Sequence, residues 1–485
     1  MSPPEVKDGR EGSLQAPSRH PLDWRSAEFY DEGALTRELE RIFEICHGCR
    51  RCFSLCNAFP TLFDAIDATA SGELESVEKK VYWEVVDHCY LCDLCFMTKC
   101  PYVPPHPWNV DFPHLMLRAK AVRTRREGVH LRDRVLASTD TVGRIAGIPV
   151  VAEVVNAVNR SSAGRALLAK TLGVDRTAPV PVYHSRSARS RLKARRTAGH
   201  PTGHTSAHTT GLTSEHTTGL TSGHTTGLTP QATATTRGQV ALFTTCYGNR
   251  NEPQIAEDLA AVFEHNAIPV RLVERERCCG MPRLELGDLE GVARLKEQNV
   301  PQLVGLIEAG FDIVAPIPSC VLMFKQELPL MFPGESDVQA IRSRIFDPFE
   351  YLMLRHREGL LRTDFKVTLG KVSYHVPCHL RVQNIGLKTR DVLKLVPGTT
   401  VEVIERCSGH DGTYGVKQEF RAASVKIGTP VAQRVSRAAA DHYCSDCPMA
   451  ASQIDSLLEE PVAGAAAAKR APEHPLTLLR VAYGI

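Results

Sequence analysis

The sequence predicts a multidomain α+β protein: a helical domain, a flexible linker, and then two tandem α/β cysteine-rich repeats. Three observations predict this organisation: a polar, repetitive segment in the middle of the chain, two closely spaced cysteine runs before it, and a strand–cysteine–helix arrangement that occurs twice after it. The chain has 485 residues, of which 43% are hydrophobic and 23% charged. This composition is typical of a soluble globular protein, and at roughly 150 residues per domain the chain has room for about three domains.

The net charge and the number of cysteines limit the classes of function that the chain can have. The net charge is only +3, so the chain lacks the bulk positive charge that nucleic-acid binding requires. A chain this long buries an adequate core without disulfides, and residues 1–24 lack the basic and apolar regions of a signal peptide. We therefore expect a cytoplasmic protein whose 16 cysteines serve metal or redox chemistry.

Membrane contact is expected to be peripheral at most. The longest apolar stretch runs from Ile145 to Val158 and includes Glu153. At about 14 residues it is too short to cross a bilayer as one helix. Contact at the inner face of the membrane, through a partner or through a quinone, stays open.

The segment from Tyr183 to Arg237 shows neither the period of a helix nor the alternation of a strand. It begins with a basic run and continues into an eight-residue repeat whose copies start at His208, His216 and His224. Such a repeat has too little apolar surface to offset the entropy of ordering it. We interpret residues 183–237 as a basic His/Thr/Gly repeat linker, with eight cysteines before it and eight after it.

The eight cysteines before the linker form two runs: Cys46, Cys49, Cys52 and Cys56, then Cys89, Cys92, Cys95 and Cys100. A Cys-x2-Cys-x2-Cys loop supplies three thiolates to one four-iron cube, and in two-cluster ferredoxins the fourth comes from the last cysteine of the other run. We therefore predict one [4Fe-4S] cluster on Cys46, Cys49, Cys52 and Cys100 and a second on Cys89, Cys92, Cys95 and Cys56. Two zinc sites are the alternative, although these normally use paired Cys-x2-Cys knuckles.

The cysteine runs divide the N-terminal half into a tail at 1–30, a helical ferredoxin domain at 31–128 and a helical segment at 129–182. Apolar spacing predicts an amphipathic helix at 76–88 between the runs and helices at 115–126 and 135–172 after them. We expect the later helices to cover the clusters.

After the linker the chain repeats itself. Strand-like runs lead into Cys246 and Cys378, each followed by a helical pattern, and Gly-marked loops carry Cys278-Cys279-Gly280 and Cys407-Ser408-Gly409. Late cysteines close the two repeats: Cys320 in the first, and Cys444 and Cys447 in the second. Two α/β units, at 238–345 and 346–485, would carry these thiols at the mouths of their strands, where ligands of open α/β sheets bind.

These motifs resemble the cysteine-rich CCG domains found in the B subunit of heterodisulfide reductase and in related Fe-S oxidoreductases. A two-cluster ferredoxin followed by tandem CCG repeats resembles the family formed by the C subunits of anaerobic glycerol-3-phosphate dehydrogenases. The family motif has five cysteines per repeat, and we take Ile317 and Arg406 to stand where cysteines are missing. Each repeat then keeps four: Cys246, Cys278, Cys279 and Cys320, and Cys378, Cys407, Cys444 and Cys447. These sets could bind a further iron-sulfur cluster, zinc, or act as catalytic or regulatory thiols.

The leading functional prediction is an electron-transfer protein that relays electrons from a dehydrogenase-type partner through two [4Fe-4S] clusters to the C-terminal cysteines or another acceptor. No Gly-x-Gly-x-x-Gly motif follows a strand, so neither flavin nor NAD is indicated, and a flavoprotein would have to be the partner. One alternative is an enzyme that reduces a disulfide or quinone at the CCG site. Another is a zinc or thiol scaffold for a partner. His379 and His410, beside the cysteines, are interpreted as donors that tune the site.

Overall fold

The computed structural model describes residues 12–13, 15–198, 228–458 and 471–485. Two parallel sheets form the C-terminal half, and helices form the described N-terminal half. The eight-residue repeat of the linker lies outside the described residues.

The N-terminal helices begin at a conventional cap, because the Asp31 side chain accepts a hydrogen bond from the backbone N–H of Ala34. A helix at 79–88 lies between the cysteine runs, close to the predicted 76–88. The stretch predicted as one helix at 135–172 is instead broken into four short helices. The α-helices are α1 (Glu32–Cys49), α2 (Ala58–Asp67), α3 (Lys79–His88), α4 (Leu94–Thr98), α5 (Phe112–Glu127), α6 (Leu131–Ala137), α7 (Thr139–Ala146), α8 (Val151–Arg160), α9 (Ser162–Leu172) and α10 (Ala188–Ala198).

The first C-terminal unit is a four-stranded parallel sheet of order β2-β1-β3-β4. Its strands are β1 (Val240–Leu242), β2 (Val270–Leu272), β3 (Asp312–Val314) and β4 (Ile345–Phe346). Its helices are α11 (Cys246–Arg250), α12 (Pro253–His265), α13 (Met281–Leu284), α14 (Leu289–Glu308), α15 (Pro318–Leu322), α16 (Leu328–Met331) and α17 (Ser336–Arg344), with a π-helical turn at Met323–Glu327. β1 and β3 are completely buried, as expected for parallel strands covered on both faces. β4 crosses the predicted boundary at 345/346.

The second unit is a three-stranded parallel sheet of order β6-β5-β7. Its strands are β5 (Lys371–His375), β6 (Thr400–Ile404) and β7 (His442–Ser445). The helices are α18 (Pro348–Arg357), α19 (Cys378–Arg381), α20 (Lys388–Leu393), α21 (Gln418–Ala438), α22 (Pro448–Ser456) and α23 (Pro475–Tyr483). The α/β architecture of both units agrees with the predicted class.

Two segments depart from the predicted domain division. The basic run was expected to be part of the linker, but it forms α10, whose Ala188 and Leu192 are buried in the core shared with α12. The guanidinium of Arg189 donates to the backbone carbonyls of Val273 and Glu274, the latter at 2.7 Å. The predicted linker therefore begins too early. The sequence does not reveal this helix, because only two apolar residues and the arginine contacts hold it in place, and two apolar positions are too few to show a helical hydrophobic period.

The predicted N-terminal tail is also partly folded. Trp24 is 2% exposed, and its indole N–H donates to the carbonyl of Met331 at 3.0 Å. Arg19 is buried and contacts Asp93 at 2.5 Å and Asp111 at 2.8 Å. The described part of residues 12–31 thus joins the cysteine-bearing helices to the first sheet unit.

The hydrophobic cores cross the domain boundaries as well. One contains Phe43 and Phe59 of the N-terminal half together with Phe243 and Phe324 of the first unit. Another joins α12 to the second sheet and to α23. Because apolar surface is buried between the units, their cysteine sites hold fixed positions relative to one another.

Among the described helices, no single one is both long and apolar enough to cross a membrane. Helices α7 and α8 meet those criteria only when taken together, and they are bent by 108° at their junction.

Candidate metal centres

The first group of thiols lines one cavity between α1, α2 and the loop that follows α4. Cys46, Cys49, Cys52 and Cys100 all contribute to its wall, together with Phe59 and Phe63. Burial, reinforced by the neighbouring thiols, raises the pKa of Cys46 well above its ordinary value and that of Cys52 to about 12. Cys100, the last cysteine of the second run, therefore lies with three cysteines of the first.

The second group has the reciprocal membership. Cys56 interacts with Cys89 and Cys92, and Cys95 interacts with Cys52 of the first group as well as with these three thiols. Burial raises the pKa of Cys56 and Cys95 well above the usual range. Lys120 on α5 donates to the backbone carbonyl of Cys89, so a cation covers this group from one side.

A third group lies at the carboxyl edge of the first sheet. The side chains of Cys246, Cys278, Cys279 and Cys320 form a chain of sulfur hydrogen bonds, in which Cys278 contacts Cys246 and Cys279 contacts Cys320. The Thr139 hydroxyl, at the start of α7, lies 3.1 Å from the sulfur of Cys246 and 3.9 Å from that of Cys278. All four cysteines assigned to the first repeat are therefore together.

The four cysteines assigned to the second repeat are not together. Cys378 and Cys407 are hydrogen-bonded to each other, and Cys378 is also hydrogen-bonded to Cys92. Cys444 is instead completely buried within β7, in the hydrophobic core shared with α12. Cys447 begins the turn into α22. The predicted set is corrected: Cys378 and Cys407 lie in one cluster, whereas Cys444 lies in a different hydrophobic core.

The register of the strands shows which residues of the two repeats correspond near their late cysteines. Val240 pairs with Asp312, and the equivalent Val372 pairs with His442. Five residues after these partners come Ile317 and Cys447, and each is the N-cap residue of a helix that begins with proline. Cys447 is thus the counterpart of Ile317.

The same register makes Ala450 the counterpart of Cys320 and Cys444 the counterpart of the core residue Val314. The predicted alignment of Cys444 and Cys447 with Ile317 and Cys320 was therefore wrong by three residues. The Cys-x2-Cys spacing produced this error, since one of its two cysteines belongs to a strand interior.

The Gly-marked loops correct the second assignment. Gly280 has φ +108° and Gly409 has φ +75°, both in the left-handed region that favours glycine. The backbone of each glycine hydrogen-bonds the cysteine two residues earlier, Cys278 or Cys407. Ser408, not Arg406, therefore occupies the place of the missing cysteine.

Hydrogen bonds from Cys378 and Tyr90 stabilise the thiolate of Cys407 and lower its pKa to about 7, against the opposing effect of burial. The Tyr90 hydroxyl lies 3.3 Å from the sulfur of Cys407. Tyr90 and Thr139 were both missed by the sequence analysis. Tyr90 could have been noticed because it directly follows Cys89, whereas no local pattern marks Thr139.

The two histidines beside the CCG cysteines differ in their surroundings. His379 is hydrogen-bonded through Nδ1 to the hydroxyl of Ser319, next to Cys320, at 2.8 Å. His379 therefore links the two repeats. His410 is 8% exposed, and neither ring nitrogen has a hydrogen-bond partner among the described residues. Burial lowers the pKa of His410 to about 4, so its ring is neutral.

Within the described ranges, no group of three or more His, Cys, Asp or Glu side chains is arranged to hold a single metal ion.

Comparisons with known proteins agree with this architecture. The cysteine-rich domain family CCG matches residues 240–325 and 372–455, which contain the two sheet units' cysteines. The C subunit of anaerobic glycerol-3-phosphate dehydrogenase from Escherichia coli K12 is 29% identical over 251 residues, 51% of this chain and 59% of that protein.

Two archaeal proteins are similar at lower coverage. The B subunit of fumarate reductase (CoM/CoB) from Methanothermobacter marburgensis is 26% identical over 227 residues, 46% of this chain and 42% of that protein. An uncharacterized iron-sulfur protein of Methanococcus maripaludis is 26% identical over 224 residues, which are 45% of this chain and 42% of that protein. The chain thus spans between 42% and 59% of the length of these relatives. These matches confirm the resemblance drawn from the motifs: the chain contains two cysteine-rich CCG domains and is similar to subunits of dehydrogenases and reductases and to iron-sulfur proteins.

Proposed function

We propose that this protein is an iron-sulfur electron-transfer subunit. It relays electrons from a dehydrogenase-type partner, such as a flavoprotein, through two [4Fe-4S] clusters to the first CCG site or to a downstream acceptor. The observation that carries this proposal is the reciprocal exchange of ligands, in which Cys100 lies with Cys46, Cys49 and Cys52 while Cys56 lies with the other run.

The residues fit such clusters chemically. Each group brings four thiols into a largely apolar space, and burial holds the pKa of Cys46, Cys56 and Cys95 well above its ordinary value. Iron binds the thiolate form, so a bound cluster compensates the charge that these buried sites otherwise disfavour. When bound, clusters of this kind exchange single electrons. Trp24 and the buried face of α5 belong to the same hydrophobic core as these cysteines.

The contacts between groups support an ordered path. Cys92 of the second group touches Cys378 of the second CCG domain. Cys378 is followed by His379, whose ring is hydrogen-bonded to Ser319 beside Cys320 of the first CCG site. A continuous line of contacts therefore joins the N-terminal thiols to both CCG domains. We propose that the four thiols of the first CCG domain, Cys246, Cys278, Cys279 and Cys320, hold a further cluster.

Peripheral contact with a membrane is part of this proposal. Helices α7 and α8 leave Ile145, Val150 and Val154 exposed at 60%, 67% and 56%. Apolar residues at this density on one bent pair are typical of an interfacial segment. The pair begins at Thr139, which contacts the first CCG site, so a lipid-soluble acceptor such as a quinone would approach close to those thiols.

Anaerobic purification with iron, sulfide and zinc analysis tests the function, followed by EPR of the reduced protein. We expect about eight irons from the N-terminal half, from two four-iron clusters, and about four more from the first CCG domain. Cys320→Ser should remove one iron-sulfur component and leave the N-terminal signals intact. A protein that is fully folded but contains zinc in place of iron would refute the relay and favour the scaffold alternative.

A second candidate function has one specific observation in its favour. A cleft opens between α5, the first CCG loop and the second, and Tyr90, Lys120, Glu285 and Asp411 are among its lining residues. Burial raises the pKa of Glu285 to about 7 and that of Asp411 well above its ordinary value. Protonated carboxyls beside an electron relay suit reduction of a bound quinone or disulfide. Turnover of such an acceptor by the isolated chain, lost in Glu285→Gln, would support this enzyme.

A further inference from the structure

The two CCG domains differ in the number of thiols that they bring together. The first collects four cysteines in mutual contact. In the second, Ser408 takes the place of Cys279 and Ala450 takes the place of Cys320, and both replacements are buried, at 6% and 5% exposure. The second domain therefore has no thiol at two positions where the first domain has one.

Three thiols remain at motif positions of the second domain, Cys378, Cys407 and Cys447, and the first two of them form a pair. Cys378 begins α19 and Cys407 follows β6, and both side chains pack in one cluster with Tyr90 and Cys92. Two side chains of the N-terminal half contact the pair. Cys92 contacts Cys378, and the Tyr90 hydroxyl lies 3.3 Å from the Cys407 sulfur. Cys444 faces the hydrophobic core instead. Two thiols in contact, with a hydroxyl beside one of them, are the components of a redox-active dithiol.

We propose that Cys378 and Cys407 form a reversible dithiol/disulfide couple, and that the second CCG domain uses this couple in place of a cluster. The inference rests on the proposed relay, which supplies the redox partner of the couple. It adds a two-electron redox centre to a series of one-electron carriers.

The chemistry balances without any other reagent. On oxidation, the two S–H bonds break, one S–S bond forms between Cys378 and Cys407, and two protons pass to solvent or a nearby base. The two electrons leave singly to the iron-sulfur relay of the N-terminal half. On reduction, two electrons return by the same contact, two protons are taken up and the S–S bond breaks. The Tyr90 hydroxyl can donate a hydrogen bond to the Cys407 sulfur and so stabilise the thiolate that departs from the disulfide, while the proton stays on Tyr90.

The experiment measures the bond directly in the full-length, iron-loaded protein. The protein is equilibrated anaerobically in dithiothreitol buffers of different oxidised-to-reduced ratio, quenched with an alkylating reagent, and digested with trypsin. Residues 372–381 and 407–417 form tryptic peptides with one cysteine each, so mass spectrometry reports the linked pair unambiguously. We expect the linked peptide to appear and disappear reversibly, and to vanish in Cys378→Ser and Cys407→Ser but not in the control Cys444→Ala.

Iron content supplies the second measurement. Cys378→Ser, Cys407→Ser and Cys447→Ser should each keep the wild-type iron and sulfide content and the N-terminal EPR signals. Loss of about four irons from any of these three variants would overturn the proposal in favour of a cluster in the second domain. Absence of the linked peptide at every buffer ratio would also overturn it. Protein without iron that still forms the reversible disulfide would refute the relay alone, so the two failures are distinguishable.

Discussion

Cys92 and Cys378 are in side-chain hydrogen-bonding contact, although one belongs to the second N-terminal cysteine run and the other to the second CCG domain. Tyr90, two residues before Cys92, makes a parallel contact with Cys407. The N-terminal half therefore lies directly on the second CCG domain, without an intervening layer of side chains. This contact gives the cysteines of the two halves a short connection and underlies the predictions that follow.

The exchange of ligands between the runs predicts which single variants share a phenotype. Cys100→Ala should lose about four irons and give the EPR spectrum of Cys49→Ala, because both residues belong to the first group. Cys56→Ala should instead match Cys92→Ala. The control Cys444→Ala, in a strand interior, should keep both signals. If Cys56→Ala matched Cys49→Ala, each run would bind its own cluster and the exchange would be wrong.

The sequence could predict a site where its cysteines lie close together in the chain, but not where their grouping depends on the register of distant strands. The N-terminal runs are short, so a grouping of their eight cysteines could be predicted from spacing alone, and as a set of cluster ligands that grouping stays a prediction. The CCG register could not be taken from cysteine spacing, because only the end of β7 shows that Cys444 is a strand residue. Pro448 after Cys447, like Pro318 after Ile317, was the signal that would have found it.

Other features depended on contacts distant in sequence. Leu192 and Ala188 supply α10 with too few apolar positions to reveal a helix, which is instead stabilised by packing on α12. The fixed position of Arg19 depends on two carboxylates far along the chain, so the sequence alone indicated only a polar tail.

The buried Arg19 predicts a large effect on stability. Arg19→Met leaves the buried carboxyl group of Asp93 and the partly buried carboxyl group of Asp111 without their cation. Burial opposes ionisation of Asp111, but Arg19 and His114 lower its pKa to about 2. Removing one partner of such a buried network costs about 3–5 kcal/mol. Denaturant unfolding of the apoprotein measures this loss. Arg41→Met removes an exposed pair with Glu38 and should cost no more than about 1 kcal/mol.

His474 predicts a pH dependence of stability. Leu476 donates its backbone N–H to Nδ1 of His474 at 3.2 Å, and Nε2 lies 3.2 Å from the carbonyl of Asp446. Burial lowers the pKa of this ring to about 4, whereas an unfolded histidine titrates near 6.5. The unfolded state thus binds more protons, so the contribution is present above pH ~6.5 and is lost as the pH falls towards 4.

Between pH 7 and pH 5 this one group should reduce the free energy of unfolding by on the order of 2 kcal/mol. His474→Asn keeps a side chain that can cap α23 and removes the titration. The variant should therefore show a shallower decline over this range in urea unfolding at several pH values. Parallel curves for the wild type and the variant would contradict the assignment.

The exposed face of α7 and α8 predicts binding to lipid. Ile145→Glu together with Val154→Glu should reduce co-sedimentation with anionic phospholipid vesicles by roughly tenfold or more, because burying a charge at this depth is unfavourable. Val367→Glu is a matched control, since Val367 is 44% exposed but lies outside this face. Iron content and the EPR signals should be unchanged in all variants. Equal losses in the control would assign the effect to net charge.

Restoring the missing thiols should convert the second CCG domain into a cluster site. Ser408→Cys and Ala450→Cys place thiols at the counterparts of Cys279 and Cys320, where they join Cys378, Cys407 and Cys447. We expect the double variant to gain about four irons per chain, with matching sulfide, and to lose the reversible link between Cys378 and Cys407. The control combines Ser408→Cys with Ala451→Cys, which turns the second thiol about 100° around α22. It should gain no iron. An equal gain in the control would show that thiol number, rather than the correspondence set by β3 and β7, decides what the domain binds.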